Sequence, residues 1–282
     1  DCGTIGLGGV LTGVISQDMV VIGAAARDYD SLRIFAKNDS DVVSAGNTLK
    51  DYPAIYGTAD TWKGKEILIP TGSTLHYVLS TGLSKFGLSD TDVAMTHMDV
   101  PGINTALRAN KGEIGALWGS FTYADEMKKN YTVVMSANDL GIELPTVMCA
   151  NPRSYEDPAK YKAIKKWMEL YFATVDWIYS SEEHFDKAVE MFTEINEEAG
   201  ATGTLEENRT VLENNRHYSL SDNVKLFNEK TEDGAMLLIE AMHNDPLLFY
   251  IKNGSYQKGD DTKLLGGYFK ADIINEIAAM KE

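Results

Sequence analysis

Residues 65–77 read KEILIPTGSTLHY, and this stretch decides the fold class. Lys65 to Ile69 is predicted as a strand, with the apolar residues Ile67 to Ile69 at its end, and Pro70 to Ser73 holds residues that favour a turn. From Leu75 the apolar residues recur at steps of three or four, which predicts a helix that ends at Gly87. A strand, a turn and a helix form the basic unit of an α/β protein.

The same alternation continues on both sides of this stretch. A strand ending near residue 6, a short helix at 10–16 and strands at 19–23 and 31–36 are predicted upstream. Downstream, the patterns predict strands at 92–98, 114–118, 131–136 and 146–150, with a helix at 104–110. Beyond residue 151 they predict helices at 157–179, 181–200, 206–215, 222–241 and 270–280. We therefore predict an α/β fold with parallel-type sheets flanked by helices.

Composition excludes several classes of protein. The 282 residues contain 26 Lys and Arg against 42 Asp and Glu, which gives a net charge of −16. Such a chain is a poor candidate for binding nucleic acid or an anionic membrane surface. No apolar run approaches the length of a membrane span. Cys2 and Cys149 form no CxxC pair, so two free thiols are favoured, although a bridge between them stays open.

Two glycine-containing turns are the candidate sites that the residues themselves indicate. Gly72-Ser73-Thr74 begins the helix of the opening stretch, and Gly6-Leu7-Gly8-Gly9 begins another. The free amides and the positive end of a helix dipole attract an anion or a polar oxygen. Two ordinary capped helices would show the same pattern. His76 lies in the first turn after Gly72 and is the histidine we single out, whereas the others read as surface or packed residues.

Stock catalytic and cofactor motifs are absent from the sequence. There is no HExxH, Walker A run or GxSxG, and the glycines at 6–9 lack the third glycine of a dinucleotide fingerprint. We expect no cofactor, no metal and no catalytic residue.

The opening stretch also resembles a known family. Residues 63–77 are similar to the GK-I-P-GST-HY segment of periplasmic substrate-binding proteins that serve ABC importers of nitrate, sulfonates, taurine and thiamine precursors. Residues 87–93, 106–118 and 1–26 resemble the same family, the last through its D-G-IG loop. The match is specific at the GST-HY turn and generic in the helices that follow residue 151.

The resemblance implies a two-lobe type II periplasmic-binding-protein fold that closes on a small solute and delivers it to a membrane permease. Lobe I would comprise residues 1–60 and 152–282, and lobe II residues 61–151. Family members have further residues before the point where this chain starts, so we expect either a trimmed product or a first lobe that lacks its N-terminal part. A periplasmic or extracytoplasmic location, a lipid anchor through an upstream segment and a monomeric state are expected.

The resemblance also carries over site residues. Ser73, Thr74 and His76 would line the second lobe, Gly8 and Gly9 the first-lobe loop, and Trp118 the end of a strand. Backbone amides at the two turns would bind polar oxygens of the ligand, and aromatic side chains would cover its apolar part. The predicted ligand-binding residues are Gly8, Gly9, Tyr29, Gly72, Ser73, Thr74, His76, Trp118, Ser120 and Phe121. The family usually has Trp-Glu-Pro where this chain has Trp118-Gly119-Ser120, so an acidic contact to an amine group is missing.

We therefore expect a solute-binding component of an ABC importer that captures a small organic anion such as an aliphatic sulfonate or taurine. A binder of a thiamine-precursor pyrimidine or similar heterocycle is one alternative, and a ligand-sensing module with the same fold is another. An enzyme of this fold makes the thiamine pyrimidine with a cysteine-rich, iron-binding motif, which two cysteines cannot supply. Because the net charge of −16 repels anions, a neutral ligand stays open.

Overall fold

The computed structural model describes residues 1–28, 30–123, 125–199, 201, 203–252, 259–264 and 267–281. Strands β1 to β8 lie, in chain order, at Cys2–Ile5, Val20–Asp28, Arg33–Lys37, Glu66–Ile69, Ala94–His97, Ile114–Leu117, Tyr131–Ser136 and Leu144–Ala150. Helices α1 to α13 lie at Leu7–Gln17, Asp41–Ser44, Ala59–Trp62, Thr74–Lys85, Val100–Arg108, Asp125–Asn130, Pro152–Glu156, Pro158–Ile178, Glu182–Glu198, Leu205–Asn214, Leu220–Asn228, Leu238–Lys252 and Asp272–Ala279.

The chain divides into two compact units. Unit 1 comprises Asp1–Arg27, Leu144–Phe185 and Arg216–Glu282, and unit 2 comprises Asp28–Glu143 and Asp186–Asn215. This division by packing assigns residues 28–60 and 186–215 to the second unit and residues 144–151 to the first, unlike the boundaries expected from the sequence. Residues 28–60 belong to unit 2 because β3 lies between β6 and β7 in the sheet of that unit.

Unit 1 has a three-stranded sheet in the order β1-β8-β2. The apolar start of β2 is buried from Val20 to Ala25, as the continuous apolar run predicts. Helix α8 begins at Pro158, and its preceding residue Asp157 caps it by accepting hydrogen bonds from the amides of Ala159 and Lys160. One face of α8 is buried in the core of this unit, through Ile164, Met168, Phe172 and Val175.

The two cysteines lie on β1 and β8 and are free thiols. These strands are antiparallel with Gly3 opposite Cys149 and Cys2 opposite Ala150. Side chains alternate between the faces of a sheet, so the two thiols point to opposite faces. Cys2 is exposed and Cys149 is buried. The interpretation as two free thiols is confirmed.

Unit 2 has a five-stranded sheet in the order β5-β4-β6-β3-β7. Strand β4 is parallel to β5 and to β6, which confirms the predicted β-α-β-α-β unit. Strand β3 is antiparallel to both β6 and β7, so the sheet is mixed and not of the purely parallel type expected. Helix α4 follows β4 with Leu75, Val78, Leu79 and Leu83 buried, and Gly87 after its end has φ +73° as predicted for that position.

The single helix predicted for residues 222–241 is wrong. Helix α11 ends at Asn228 and α12 begins at Leu238, while Lys230 and Leu237 form an antiparallel bridge. The intervening turn is held by Thr231 Oγ1, which donates to Asp233 Oδ1 at 2.5 Å, and Gly234 adopts φ +69°. The turn residues at 231–234 outweigh the helical spacing of their neighbours. No helix in the described residues is long and apolar enough to cross a membrane.

Candidate functional site

The strand ends of unit 2 bring most of the predicted site residues to one edge of the sheet. Since β4, β5 and β6 are parallel, their carboxyl ends at Ile69, His97 and Leu117 lie at the same edge. Strand β3 is antiparallel to β6 with Arg33 opposite Leu117, so β3 begins there. We call this region, with residues 70–74, 97, 118–121 and 30–33, the carboxyl edge of unit 2. Ligands of open α/β sheets bind at such edges.

The turn after β4 depends on Gly72. Its φ of +77° lies in the left-handed region, and a Cβ there would meet nothing within 4 Å, so conformation and not packing requires glycine. The Gly72 amide donates to Nδ1 of His76 at 3.1 Å, and the Thr71 amide donates to Nδ1 of His97 at 3.1 Å. The Ser73 amide donates to the Pro70 carbonyl at 3.3 Å. These three amides therefore hold the turn itself.

The imidazole of His76 links the turn at residues 70–73 to Asp90. Because its Nδ1 accepts from Gly72, the proton lies on Nε2, which donates to Asp90 Oδ2 at 3.0 Å. Ser80 also donates to Asp90. Burial would raise the pKa of Asp90, but the hydrogen bonds from His76 and Ser80 outweigh it and lower that pKa. Both ring nitrogens of His76 are thus engaged inside unit 2, and the ring positions the turn.

The start of α4 keeps donors available at this edge. Among the described residues, the amides of Thr74 and Leu75 have no acceptor. They lie at the positive end of a 12-residue helix, where a carboxylate, sulfonate or carbonyl oxygen is stabilised. The amides of Gly72 and Ser73 are engaged within the turn, so Thr74 and Leu75 supply the amide donors that a ligand can use.

The segment after β6 places an aromatic surface on the same edge. Residues 119–122 form one 3₁₀ turn, in which Gly119 adopts φ +60° and Thr122 Oγ1 donates to the Gly119 carbonyl at 2.8 Å. Trp118, Ser120 and Phe121 are each half-buried. They can contact both the protein and a ligand, as the prediction required.

Sequence reasoning missed a charged cluster at the start of β3. Asp30 Oδ2 accepts hydrogen bonds from Arg33 Nη2 at 2.7 Å and from Asn214 Nδ2 at 2.9 Å, and the hydroxyl of Tyr123 also donates to it. The Arg33 guanidinium lies 4.4 Å from the ring centroid of Tyr123. Burial and then the hydrogen bond to Asp30 raise the pKa of Tyr123. The charged run at residues 27–33 was the available signal, but its partners are distant in sequence.

The remaining predicted residues lie elsewhere. Gly8 and Gly9 belong to unit 1, inside the first turn of α1 and not in a loop before it. A Cβ on Gly9 would come within 2.3 Å of the Ile5 side chain, so a close approach of α1 and β1 explains this glycine. Tyr29 lies outside the described residues. No cluster of three or more metal-ligating side chains occurs in the part of the chain that the structure describes.

Comparison by sequence finds a relative among transport proteins. No family model matches the chain. A protein of Brachyspira hyodysenteriae, provisionally named an ABC transporter periplasmic binding protein, is 24% identical over 249 residues, which cover 87% of this chain and 68% of that protein.

Comparison by structure finds sulfonate-binding proteins. The aliphatic sulphonate binding protein SsuA of Escherichia coli aligns with a TM-score of 0.65 and 16% identity, over 93% of this chain and 77% of that one. The alkanesulfonate-binding protein SsuA of Xanthomonas axonopodis pv. citri, bound to MOPS, aligns with a TM-score of 0.66 and 14% identity, over 96% of this chain and 80% of that one. The desulfurization enzyme DSZB also aligns, with a TM-score of 0.59 and 10% identity, over 100% of this chain and 86% of that one. The sequence relative and these folds confirm the resemblance to periplasmic binding proteins of ABC importers.

Proposed function

We propose that this chain, which has the fold of an SsuA-type periplasmic binding protein, captures a small organic anion such as an aliphatic sulfonate or taurine. The observation that carries the proposal is the carboxyl edge of unit 2. There the free amides of Thr74 and Leu75 and the half-buried Trp118 and Phe121 lie at adjoining strand ends. Amides would bind the sulfonate oxygens and the aromatic rings would cover the apolar part.

The relatives supply the biological setting. The Brachyspira protein is named for an ABC transporter, so the bound solute would be delivered to a membrane permease in an extracytoplasmic compartment. We further propose that the chain acts as a monomer and that an upstream segment could supply a lipid anchor. Gly8, Gly9 and Tyr29 stay proposed ligand contacts.

Thiol chemistry of an enzyme is disfavoured by both cysteines. The thiolate is the reactive form of cysteine, and reactive sites lower the thiol pKa. Burial raises the pKa of Cys149 to about 12, and burial also raises the pKa of Cys2. Neither group is activated as a nucleophile, which supports binding without turnover, although the fold is shared with DSZB.

A thermal-shift screen followed by calorimetry tests the proposal. Taurine, alkanesulfonates, nitrate, bicarbonate and pyrimidine compounds are compared, because a ligand that binds only the folded state raises Tm in a concentration-dependent way. The double variant Ser73→Ala/Thr74→Ala removes the two hydroxyls at the start of α4. It should weaken binding of the best sulfonate at least tenfold, roughly 1.4 kcal/mol. Ser84→Ala, at the exposed far end of α4, is the matched control and should leave Kd unchanged.

Each other outcome has a distinct meaning. A pyrimidine as the best ligand would favour the heterocycle binder, and an unchanged Kd in the double variant would show that the hydroxyls of Ser73 and Thr74 do not bind the ligand. Conversion of the ligand during incubation, followed by mass spectrometry, would contradict a pure binding protein. A ligand-dependent partner other than a permease would favour the sensing alternative.

A further inference from the structure

A cavity of about 260 Å³ lies beside helix α12 in unit 1. Three polar residues of this helix line it, Glu240, His243 and Asn244, and their spacing of three and four residues places them on one face. The remaining lining is mostly apolar and includes Met236, Leu247, Leu264 and Phe269. The cavity therefore combines a cluster of polar groups on α12 with a largely apolar lining.

His243 brings an unused hydrogen-bond acceptor to this cavity. Its Nδ1 lies 2.8 Å from the Ile239 carbonyl, which can only accept, so the ring proton lies on Nδ1 and Nε2 carries a lone pair. Nε2 is buried, and no partner for it occurs among the residues that the structure describes. A buried acceptor without a donor costs free energy, which a ligand that donates to Nε2 would recover. Because burial lowers the pKa of His243 to about 4, Nε2 is unprotonated at neutral pH.

Glu240 and Asn244 supply two more acceptors on the same face. The Leu237 amide donates to Glu240 Oε2 at 2.8 Å, which orients the carboxylate and leaves Oε1 available. Glu240 is half-buried, and within the described ranges no Lys, Arg or His side chain forms an ion pair with it. Asn244 is also half-buried, and its side-chain carbonyl receives no hydrogen bond in the same part of the chain. The polar cluster thus offers one negative charge and three acceptors to a ligand.

This combination matches a primary ammonium group. An ammonium presents three N–H donors and a positive charge, whereas a carboxylate and an imidazole lone pair only accept. A charge that leaves water requires an opposite charge and hydrogen bonds, and Glu240 offers both. The apolar lining suits a short hydrocarbon chain, which water and inorganic cations lack. The net charge of −16 also attracts a cation to the protein and repels an anion.

We propose that the cavity beside α12 binds a small primary alkylamine in its ammonium form, which donates to Glu240 Oε1, His243 Nε2 and the side-chain carbonyl of Asn244. The alkyl chain packs against the apolar side chains of the lining. Every residue of this site belongs to unit 1, and none belongs to the carboxyl edge of unit 2. The proposal is therefore independent of the sulfonate site.

The chlorides of n-butylammonium and tetramethylammonium are the probes, with sodium chloride at equal ionic strength as the reference. The two organic cations are isomers of equal charge, but tetramethylammonium has no N–H group. We expect n-butylammonium to give the full chain a saturable rise in Tm and measurable heat in calorimetry, whereas tetramethylammonium should match sodium. Equal responses to the two organic cations, or a response to n-butylammonium no larger than that to sodium, would overturn the proposal.

Two variants test the polar face of α12. Glu240→Gln removes the negative charge but keeps an oxygen that can accept from the Leu237 amide, and it should weaken n-butylammonium binding at least tenfold. His243→Met removes Nε2 and should also weaken binding at least tenfold. Glu232→Gln is the control, because it removes the same charge from an exposed residue outside the cavity and should leave Kd unchanged. An unchanged Kd in Glu240→Gln or in His243→Met would contradict the proposed contacts.

Nitrogen NMR of protein labelled at histidine separates direct contact from a structural effect of the variants. The resonance of the unprotonated Nε2 of His243, identified by its loss in His243→Met, should shift with n-butylammonium and stay in place with tetramethylammonium. A resonance that stays in place while n-butylammonium binds would place the amine elsewhere and overturn the proposal. The Ser73→Ala/Thr74→Ala variant should keep its response to n-butylammonium, so failure of this site and failure of the sulfonate site are distinguishable.

Discussion

At the scale of single residues, His243 is a polar group buried almost completely in unit 1. It is 1% exposed, its Nδ1 lies 2.8 Å from the Ile239 carbonyl, and its Nε2 has no hydrogen-bond partner among the described residues. The ring packs edge-on against Phe269, with centroids 5.3 Å apart. Burial, only partly offset by the hydrogen bond to Ile239, lowers the pKa of His243 to about 4.

This buried histidine predicts a loss of stability in mild acid. The unfolded chain binds the proton near pH 6.5, whereas the folded chain binds it only near pH 4. The contribution of His243 is therefore complete above pH 6.5 and is lost as the pH falls towards 4, by up to about 3 kcal/mol. Urea unfolding of the unchanged chain and of His243→Met at several pH values measures the difference.

Other groups titrate in the same range, so the comparison between variants carries this prediction. His243→Met should flatten the slope of unfolding free energy against pH between 6.5 and 4. Leu248→Met, at an exposed position of the same helix, changes no titratable group and should leave the slope unchanged. Parallel curves for the unchanged chain and His243→Met would show that the ring is protonated in the folded state without cost.

Sequence reasoning reached Gly72 but not Asp30, for a physical reason. A glycine between Thr71 and Ser73 at a strand end is a local signal, and its φ of +77° confirms that the position needs glycine. Besides the nearby Arg33, the partners of Asp30 are Tyr123 and Asn214, which lie 93 and 184 residues away in sequence. Only the sheet order and the packing of α10 bring these groups together, and neither can be read from local periodicity.

At the scale of elements, one side chain fastens α11 to the middle of β2. Asn223 is fully buried, and its Oδ1 accepts from the Ala24 amide at 2.7 Å while its Nδ2 donates to the Ala24 carbonyl at 3.0 Å. The side chain thus serves both backbone groups of one strand residue. An amide is the natural side chain that offers a donor and an acceptor together.

Asn223→Leu should therefore lower the free energy of unfolding by about 3 kcal/mol, because two buried backbone groups lose their partners. Chemical denaturation measures the loss. Asn228→Leu on the exposed end of α11 removes a hydrogen bond to Asn275 and should cost less than about 1 kcal/mol. Equal losses in the two variants would mean that water or a shifted backbone satisfies Ala24.

Elements with one dominant signal were predicted well and elements with competing signals were not. The strand over residues 131–136 and the helix that ends at Gly87 agree with the structure. Residues 222–241 combine helix-forming side chains with Asp233 and Gly234, and the turn prevails. Helix α12 continues through Pro246, a residue type that ends most helices, as far as Lys252. The part of this helix after Pro246 could therefore not be predicted from the sequence.

At the scale of the whole molecule, the chain crosses between the units more than once, and the composition does not change at some of these points. Residues 186–215 pack with unit 2 although they read as a continuation of the helical region. Helix α9 itself continues from one unit into the other at Phe185. Boundaries of this kind depend on long-range packing, which local composition does not reveal.

The net charge of −16 predicts how an anionic solute approaches the protein. Repulsion acts over the Debye length, which shrinks from about 30 Å at 0.01 M salt to about 8 Å at 0.15 M. The association rate constant of a sulfonate should therefore rise several-fold as sodium gluconate is raised across this range, against the usual fall for steered ligands. Stopped-flow tryptophan fluorescence measures the association rate constant. A rate constant independent of salt would contradict long-range repulsion between the protein and the sulfonate.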